Sequence, residues 1–372
     1  MNQSPGYLGE GSEGESHSLN DIHEQDEEQA FARQKVEEPT DIISVLIAHL
    51  TPFKDTSIIK DPQAESYLAA CKVHATIPVS QLVHSFNMTS VTLRNRGLGH
   101  NGAIALAHVL KSNRTIQSLD LTGNAIGPAG GAAMGDMLTC NITIAELNLT
   151  DNLLGSHGGI AVAEGTLDNV SLKSLSVRSN RLSDGEARAF AKMLGTNRSL
   201  TTLDLGHNAI GNIGACEIGA SISSNDAIKE INLEWNNIGI KGLTGFLMAT
   251  KDSSSLSVVN ISHNGLGETG GTPIQQFLAK NNSVATLGIA NCRLTDGTLP
   301  MIVKAMDSTY TLRELDISGN QFTDAGIAQI LKSLTSNNSL KKIDVSGMKM
   351  SATTRAVLKD IREEKSGVVI VE

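Results

Sequence analysis

Ten copies of one 28-residue pattern, laid end to end without insertion or deletion, occupy the last three-quarters of the chain. Their first apolar positions are Met88, Ile116, Ile144, Leu172, Leu200, Ile228, Leu256, Val284, Leu312 and Leu340. A strict repeat of this length constrains the fold more than composition does. Each copy is one supersecondary unit that cannot bury its apolar face alone, so the copies must stack into a solenoid sharing one continuous core. Such an array presents an extended surface, which directs the functional question toward binding.

Within each copy the apolar period changes from two to 3.6. Leu119-Asp120-Leu121 alternates as a short strand with the leucines inward and Asp120 outward. A helix is expected to open near Gly130, with one bulky apolar residue per copy at a fixed offset: Leu106, Met134, Val162, Phe190, Ile218, Phe246, Ile274, Ile302, Ile330 and Leu358. These predict ten helices packed on ten parallel strands, an α/β architecture. A recurring Asn follows the strand at 124, 152, 180, 208, 236, 264 and 320. There the chain turns inward and leaves backbone groups unpaired, and a buried amide both donates and accepts. Arg96, Cys292 and Met348 replace it in three copies. Cys292 retains a weak S–H donor and reads as an Asn substitute rather than a reactive thiol.

The ends of a solenoid need covering. Residues 39–86 predict a helical cap: Asp41–Leu50 behind Thr40 as N-cap, then Ala64–His74 and Pro78–Phe86, divided by the Thr76-Ile77-Pro78 break. Repeats fill 87–365, and residues 366–372 form a closing strand, because Leu340 plus one period falls on Val368. Residues 1–38 read as a disordered acidic tail. Glu10, Glu13, Glu15, Asp21, Glu24, Asp26, Glu27, Glu28, Glu37 and Glu38 face only Arg33 and Lys35, so −8 of the chain's net −9 lies there.

This balance argues against nucleic acid, which requires a basic stripe. No apolar run approaches the roughly 18 residues of a membrane span, and the N-terminus lacks a signal-peptide plan. Cys71, Cys140, Cys216 and Cys292 are widely spaced and form no C-x-x-C pair, so no zinc site, no disulfide framework and a cytoplasmic location are expected. Gly97-x-Gly99-x-x-Gly102 and Gly265-x-Gly267-x-x-Gly270 match a dinucleotide-binding turn. Their second and third glycines, however, belong to the repeat, as at Gly127 and Gly130. The sequons at Asn113, Asn141 and Asn197 also recur with the repeat, and are expected to remain unmodified. The ten histidines are dispersed without an H-x-x-x-H pair. No metal, cofactor or catalytic constellation is inferred, and the chain is expected to be a monomeric non-enzyme.

The form L-x-x-L-x-L-x-x-N-x-[IL]-G with an Ala/Gly-rich helix resembles the ribonuclease-inhibitor class of leucine-rich repeats. That class includes ribonuclease inhibitor, Ran GTPase-activating protein and the sensor domains of NOD-like receptors. Tyr67-Leu68-Ala69-Ala70-Cys71, Ile77-Pro78-Val79-Ser80 and Arg94-Asn95-Arg96-Gly97-Leu98-Gly99 resemble the leucine-rich repeat-containing protein 74 family over roughly residues 64 to 365. The resemblance implies a leucine-rich-repeat horseshoe, strands on the concave face and helices on the convex face, acting as an intracellular scaffold. Two alternatives are a GTPase-activating protein for a small GTPase and a structural component of a cytoskeletal or axonemal assembly. The chain carries no nucleotide-binding domain of the NOD-like kind. Its acidic segment precedes the repeats, whereas in Ran GTPase-activating proteins it follows them.

The eighth position of each copy lies at the ridge beyond the strand: Asn95, Gly123, Asp151, Ser179, His207, Trp235, His263, Asn291, Gly319 and Gly347. Adjacent strands lie about 4.8 Å apart, so the single Trp and the His on each side are expected to form one patch. Glu230, Asn232 and Glu234 share the Trp235 layer, and Arg178, Asp204 and Asn260 lie within two layers of it. An exposed Trp beside charged groups has the composition of an interface hot spot for a protein partner. The competing expectation is that Trp235 folds down over the Asn turn as packing.

Overall fold

The computed structural model describes residues 61–365 and 367–372. The acidic segment and the Asp41–Leu50 helix expected from the sequence lie outside the described residues.

Eleven three-residue strands form one parallel sheet in strict chain order: β1 Ser90–Thr92, β2 Ser118–Asp120, β3 Glu146–Asn148, β4 Ser174–Ser176, β5 Thr202–Asp204, β6 Glu230–Asn232, β7 Val258–Asn260, β8 Thr286–Gly288, β9 Glu314–Asp316, β10 Lys342–Asp344 and β11 Val369–Val371. Among the described residues two helices precede it, α1 Pro62–Val73 and α2 Ser80–Val83. Ten helices link the strands: α3 Gly99–Leu110, α4 Gly127–Cys140, α5 Gly155–Leu167, α6 Asp184–Thr196, α7 Asn212–Ile222, α8 Ile240–Thr250, α9 Gly271–Lys280, α10 Leu299–Ser308, α11 Asp324–Ser333 and α12 Ala352–Glu364. The helix of the second copy thus begins at Gly127, three residues before the expected Gly130. Its first residue is a glycine at φ +67°, in the left-handed region that glycine enters without steric cost.

Each strand buries its middle residue and turns its two outer residues away from the core, as in Ser118, Leu119 and Asp120. The bulky helix residues inferred from the period are all buried, from Leu106 to Leu358. They meet the strand leucines in one core that runs through every layer. Helices α4 and α5 approach so closely that a Cβ on Gly135 would lie 2.2 Å from the Ala161 carbonyl oxygen.

Buried amides stitch the layers together. Asn180 accepts from Asn152 N (3.0 Å) and Leu154 N (3.2 Å) and donates to Leu149 O (2.8 Å), joining two copies through one side chain. Cys292 stands at the same position and its thiol donates to Ile261 O at 3.4 Å. Burial pushes that thiol up to about 12, so it is held protonated as a donor. A second amide ladder runs at the helix ends. Asn113, Asn141, Asn169, Asn197, Asn225, Asn281 and Asn337 are all buried. Asn197 donates to Thr166 O and Asn169 O, both at 2.8 Å, and accepts from Ser199 N and Leu200 N. The sequon asparagines 113, 141 and 197 have Nδ2 buried and donating to Phe86 O, Leu110 O and Thr166 O.

At each sheet edge one side chain bonds a strand carbonyl. Gln81 Nε2 donates to Thr92 O beside β1, and Arg362 donates to Ile370 O on β11 while pairing with Glu372. Such blocking protects an open edge from further strand addition. In the cap, Tyr67 stacks obliquely on Phe86 and its hydroxyl accepts from Val79 N at 3.1 Å. The closing strand is displaced by one residue from the sequence expectation. Lys342 pairs with Val369, a step of 27 rather than 28, so Ile370 is buried and Val369 faces out. The step from β10 to β11 is one residue shorter than the repeat, and a one-residue slip exchanges the two faces of a strand.

Candidate functional site

The ridge beyond the strands has a backbone cause. The amide of the eighth position makes a backbone bond to the next layer, as Trp235 N does to Ser262 O at 3.1 Å. The chain then turns so that the following Asn points into the core. That turn places the eighth residue of every copy at positive φ, from Asn291 at +50° to Gly123 at +71°. Three copies use Gly, two Asn and one Asp, the residues that tolerate this region best. His207, Trp235 and His263 occupy it at +51°, +51° and +57°. A side chain without the Asn or Asp adaptation costs about 1–2 kcal/mol there, and three adjacent copies carry aromatic rings.

The rings form a stack. His207 and Trp235 have centroids 5.1 Å apart with planes inclined by 26°, and Trp235 and His263 are 3.9 Å apart at 13°. Asn291 extends the row, its amide 3.4 Å from His263 Nε2. Trp235 remains 49% exposed, so it does not fold down into the Asn turn. Both indole faces are occupied by imidazoles, leaving the ring edge to solvent in a fixed orientation.

A charged network supports the stack from the strand side. Arg178 reaches across an entire layer to Glu234 (2.5 Å) and lies 3.9 Å from Asp204. Glu234 also accepts from Asn260 at 2.8 Å. The crossing is possible because residue 206, between them, is glycine: a Cβ there would lie 2.6 Å from the Arg178 guanidinium. Burial alone would raise the Glu234 carboxyl, but hydrogen bonds from Arg178 and Asn260 outweigh it and hold the group below its ordinary range. Asp204 moves the other way. Burial raises it, the neighbouring Glu234 charge adds to that, and the bond from Gly206 N with the attraction of Arg178 does not compensate. His207 is lowered by burial and by Arg178, against the opposing charges of Glu234 and Asp204.

Most of the residues singled out from the sequence come together here: Trp235, His207 and His263 in the stack, and Arg178, Asp204, Glu234 and Asn260 beneath it. Asn232 accepts from Glu234 N at 3.0 Å and holds the turn. Glu230 stands exposed at the far end of β6, outside the network. Gly206 was not marked by the sequence reading. Its signal is the succession Arg178, Gly206, Glu234 at one repeat position, visible only when copies are aligned in register.

A family model described as Leucine Rich repeat matches residues 112–135, 196–219 and 311–331. With eleven parallel strands alternating with helices, that decides the fold. The chain is a leucine-rich-repeat solenoid. It resembles leucine-rich repeat-containing protein 74B of Mus musculus, 43% identical over 54 residues, a match spanning 14% of this chain and 14% of that protein. The solved structure of Leiomodin-1 Actin-Binding Site 2 aligns with 41% of this chain and 90% of its own length, at 16% identity and a TM-score of 0.34. A likeness that slight carries no argument about this protein. Among the described residues no helix is long and apolar enough to cross a membrane, and no group of three His, Cys, Asp or Glu side chains is placed to hold a metal ion.

Proposed function

We propose that this protein is a non-enzymatic interaction scaffold that binds a partner protein on its strand face, with Trp235 at the centre of the contact. The observation that carries this reading is the fixed, half-exposed indole between two histidines. Hot spots concentrate in Trp, Tyr and Arg, and a side chain immobilised before binding loses less entropy on association. The stack supplies that immobilisation, and the Arg178–Glu234–Asn260 network beneath it supplies a rigid floor. Left-handed backbone is tolerated here by aromatic residues in three adjacent copies, and sparsely populated conformations of this kind gather at functional sites.

The remaining outward strand positions fit a recognition surface. Ser174, Ser176, Thr202 and Asn232 are small or polar groups that contribute complementarity around an anchor. The test is a Trp235→Ala variant assayed against a partner captured by the wild-type chain. Binding should weaken by about 2 kcal/mol or more, a typical hot-spot loss, while the variant stays folded at the assay temperature. Undiminished binding by a folded variant would refute the proposal.

A further inference from the structure

The aromatic ridge divides two surfaces of opposite character. On the strand side Asp204, Glu230 and Glu234 outnumber Arg178. On the other side a groove of about 440 Å³ is bounded by Trp235, Gly239, His263, Gly265, Asn291 and Arg293, and no acidic residue lines it. Arg293 is exposed at φ +61°, and no carboxylate pairs with it among the described residues. Exposed Arg96, Arg181 and Arg355 likewise have no acidic partner among the described residues, and Arg293 differs from them in lining a groove beside an indole. The groove therefore combines an unpaired guanidinium, an amide from Asn291 and the edge of a fixed indole. Its floor is kept low by two glycines whose facing backbones form a β-bridge, Gly239 to Gly265.

We propose that this groove receives an aspartate or glutamate side chain of a partner protein, with Arg293 as its counter-ion and an apolar neighbour of that acid lying against Trp235. A guanidinium binds a carboxylate through two parallel N–H···O bonds, which fixes orientation as well as charge. An indole edge beside it accepts an apolar side chain. An acid-free groove next to an acid-rich strand face selects the sign of the group that enters. The inference rests on the reading of the ridge as a protein-binding surface and adds the chemistry of what enters it.

Because Trp235 is the only Trp of the chain, its fluorescence reports directly on this groove. The full chain is titrated with an N-acetylated, C-amidated Phe-Asp-Asp-Phe peptide and with its Phe-Asn-Asn-Phe counterpart. A saturable change in Trp235 emission is expected with the acidic peptide, at least tenfold weaker with the amide peptide and in Arg293→Gln. Arg181→Gln is the matched control, since Arg181 occupies the same repeat position, also at φ +61°, without an adjacent indole. It should bind as the wild type does. Equal response to both peptides, equal loss in both Arg variants, or no saturable response at all would overturn the proposal. A response indifferent to charge would still leave the ridge as a binding surface, and partner capture with Trp235→Ala tests that wider reading independently.

Discussion

Replacing Asn180 by Leu removes a fully buried amide while keeping side-chain volume roughly constant. Three backbone groups take their bonds from that amide: Asn152 N, Leu154 N and Leu149 O. A fourth, Arg178 O, also accepts from Asp151 N and is spared. An orphaned buried polar group costs about 1–3 kcal/mol, so the loss should be at least about 3 kcal/mol. Asn180→Cys should fall between wild type and Leu, because Cys292 shows that a thiol in this place still donates one bond. Lys173→Leu, on the exposed side of the strand start, should be near neutral, since Lys173 contributes to the ladder only through its backbone. Urea unfolding followed by far-ultraviolet circular dichroism measures all three, with the slope checked because long repeat arrays can lose cooperativity. Equal midpoints for Asn180→Leu and Lys173→Leu would refute the ladder argument.

Four further outcomes follow from the same geometry. Gly135→Ala should destabilise by about 1–3 kcal/mol, the cost of overpacking, because its Cβ would strike the Ala161 carbonyl, whereas Gly185→Ala in α6 meets nothing within 4 Å and should gain about 0.5–1 kcal/mol; urea midpoints separate them. Trp235→Gly should melt close to wild type, since relief of the left-handed backbone, about 1–2 kcal/mol, offsets two ring contacts of about 0.5–1.5 kcal/mol each; a collapse of the melt would return Trp235 to the core. Asp204, raised on folding, opposes stability once ionised, while Glu234, lowered on folding, contributes stability above its unfolded pKa that is lost as pH falls through the folded one. Asp204→Asn should therefore raise the neutral-pH melt and Glu234→Gln lower it, both differences shrinking in acid. Finally, a thiol reagent should label exposed Cys140 rapidly and spare buried Cys71 and Cys292 in the native state, as peptide mass mapping would show.

The period made the solenoid readable because it sets the inward residues of strand and helix at once. The Asn ladder was readable because one residue type recurs where the backbone must be satisfied. The second ladder was half-visible: its asparagines mark the helix ends, but their bonds run to carbonyls 28 and 31 residues earlier, which no local pattern displays. The bridge from Arg178 over Gly206 to Glu234 depends on an absent side chain in an intervening layer, and residues 28 and 56 apart share no sequence neighbourhood. The left-handed turn left its trace in Asn95, Gly123 and Asp151, though His207, Trp235 and His263 conceal it. At Val369 the register slipped because nothing in Lys365–Val368 announces a shortened turn.

Oxidative footprinting of a purified complex measures the binding surface most directly, since hydroxyl radicals attack Trp, His, Met and Tyr side chains wherever solvent reaches them. On complex formation, oxidation of Trp235, His207 and His263 should fall together while Met301 and Tyr310, exposed on α10 and just beyond it, keep their rates. Unchanged oxidation of Trp235, with protection at Met301 and Tyr310 instead, would place the partner away from the ridge and contradict the account.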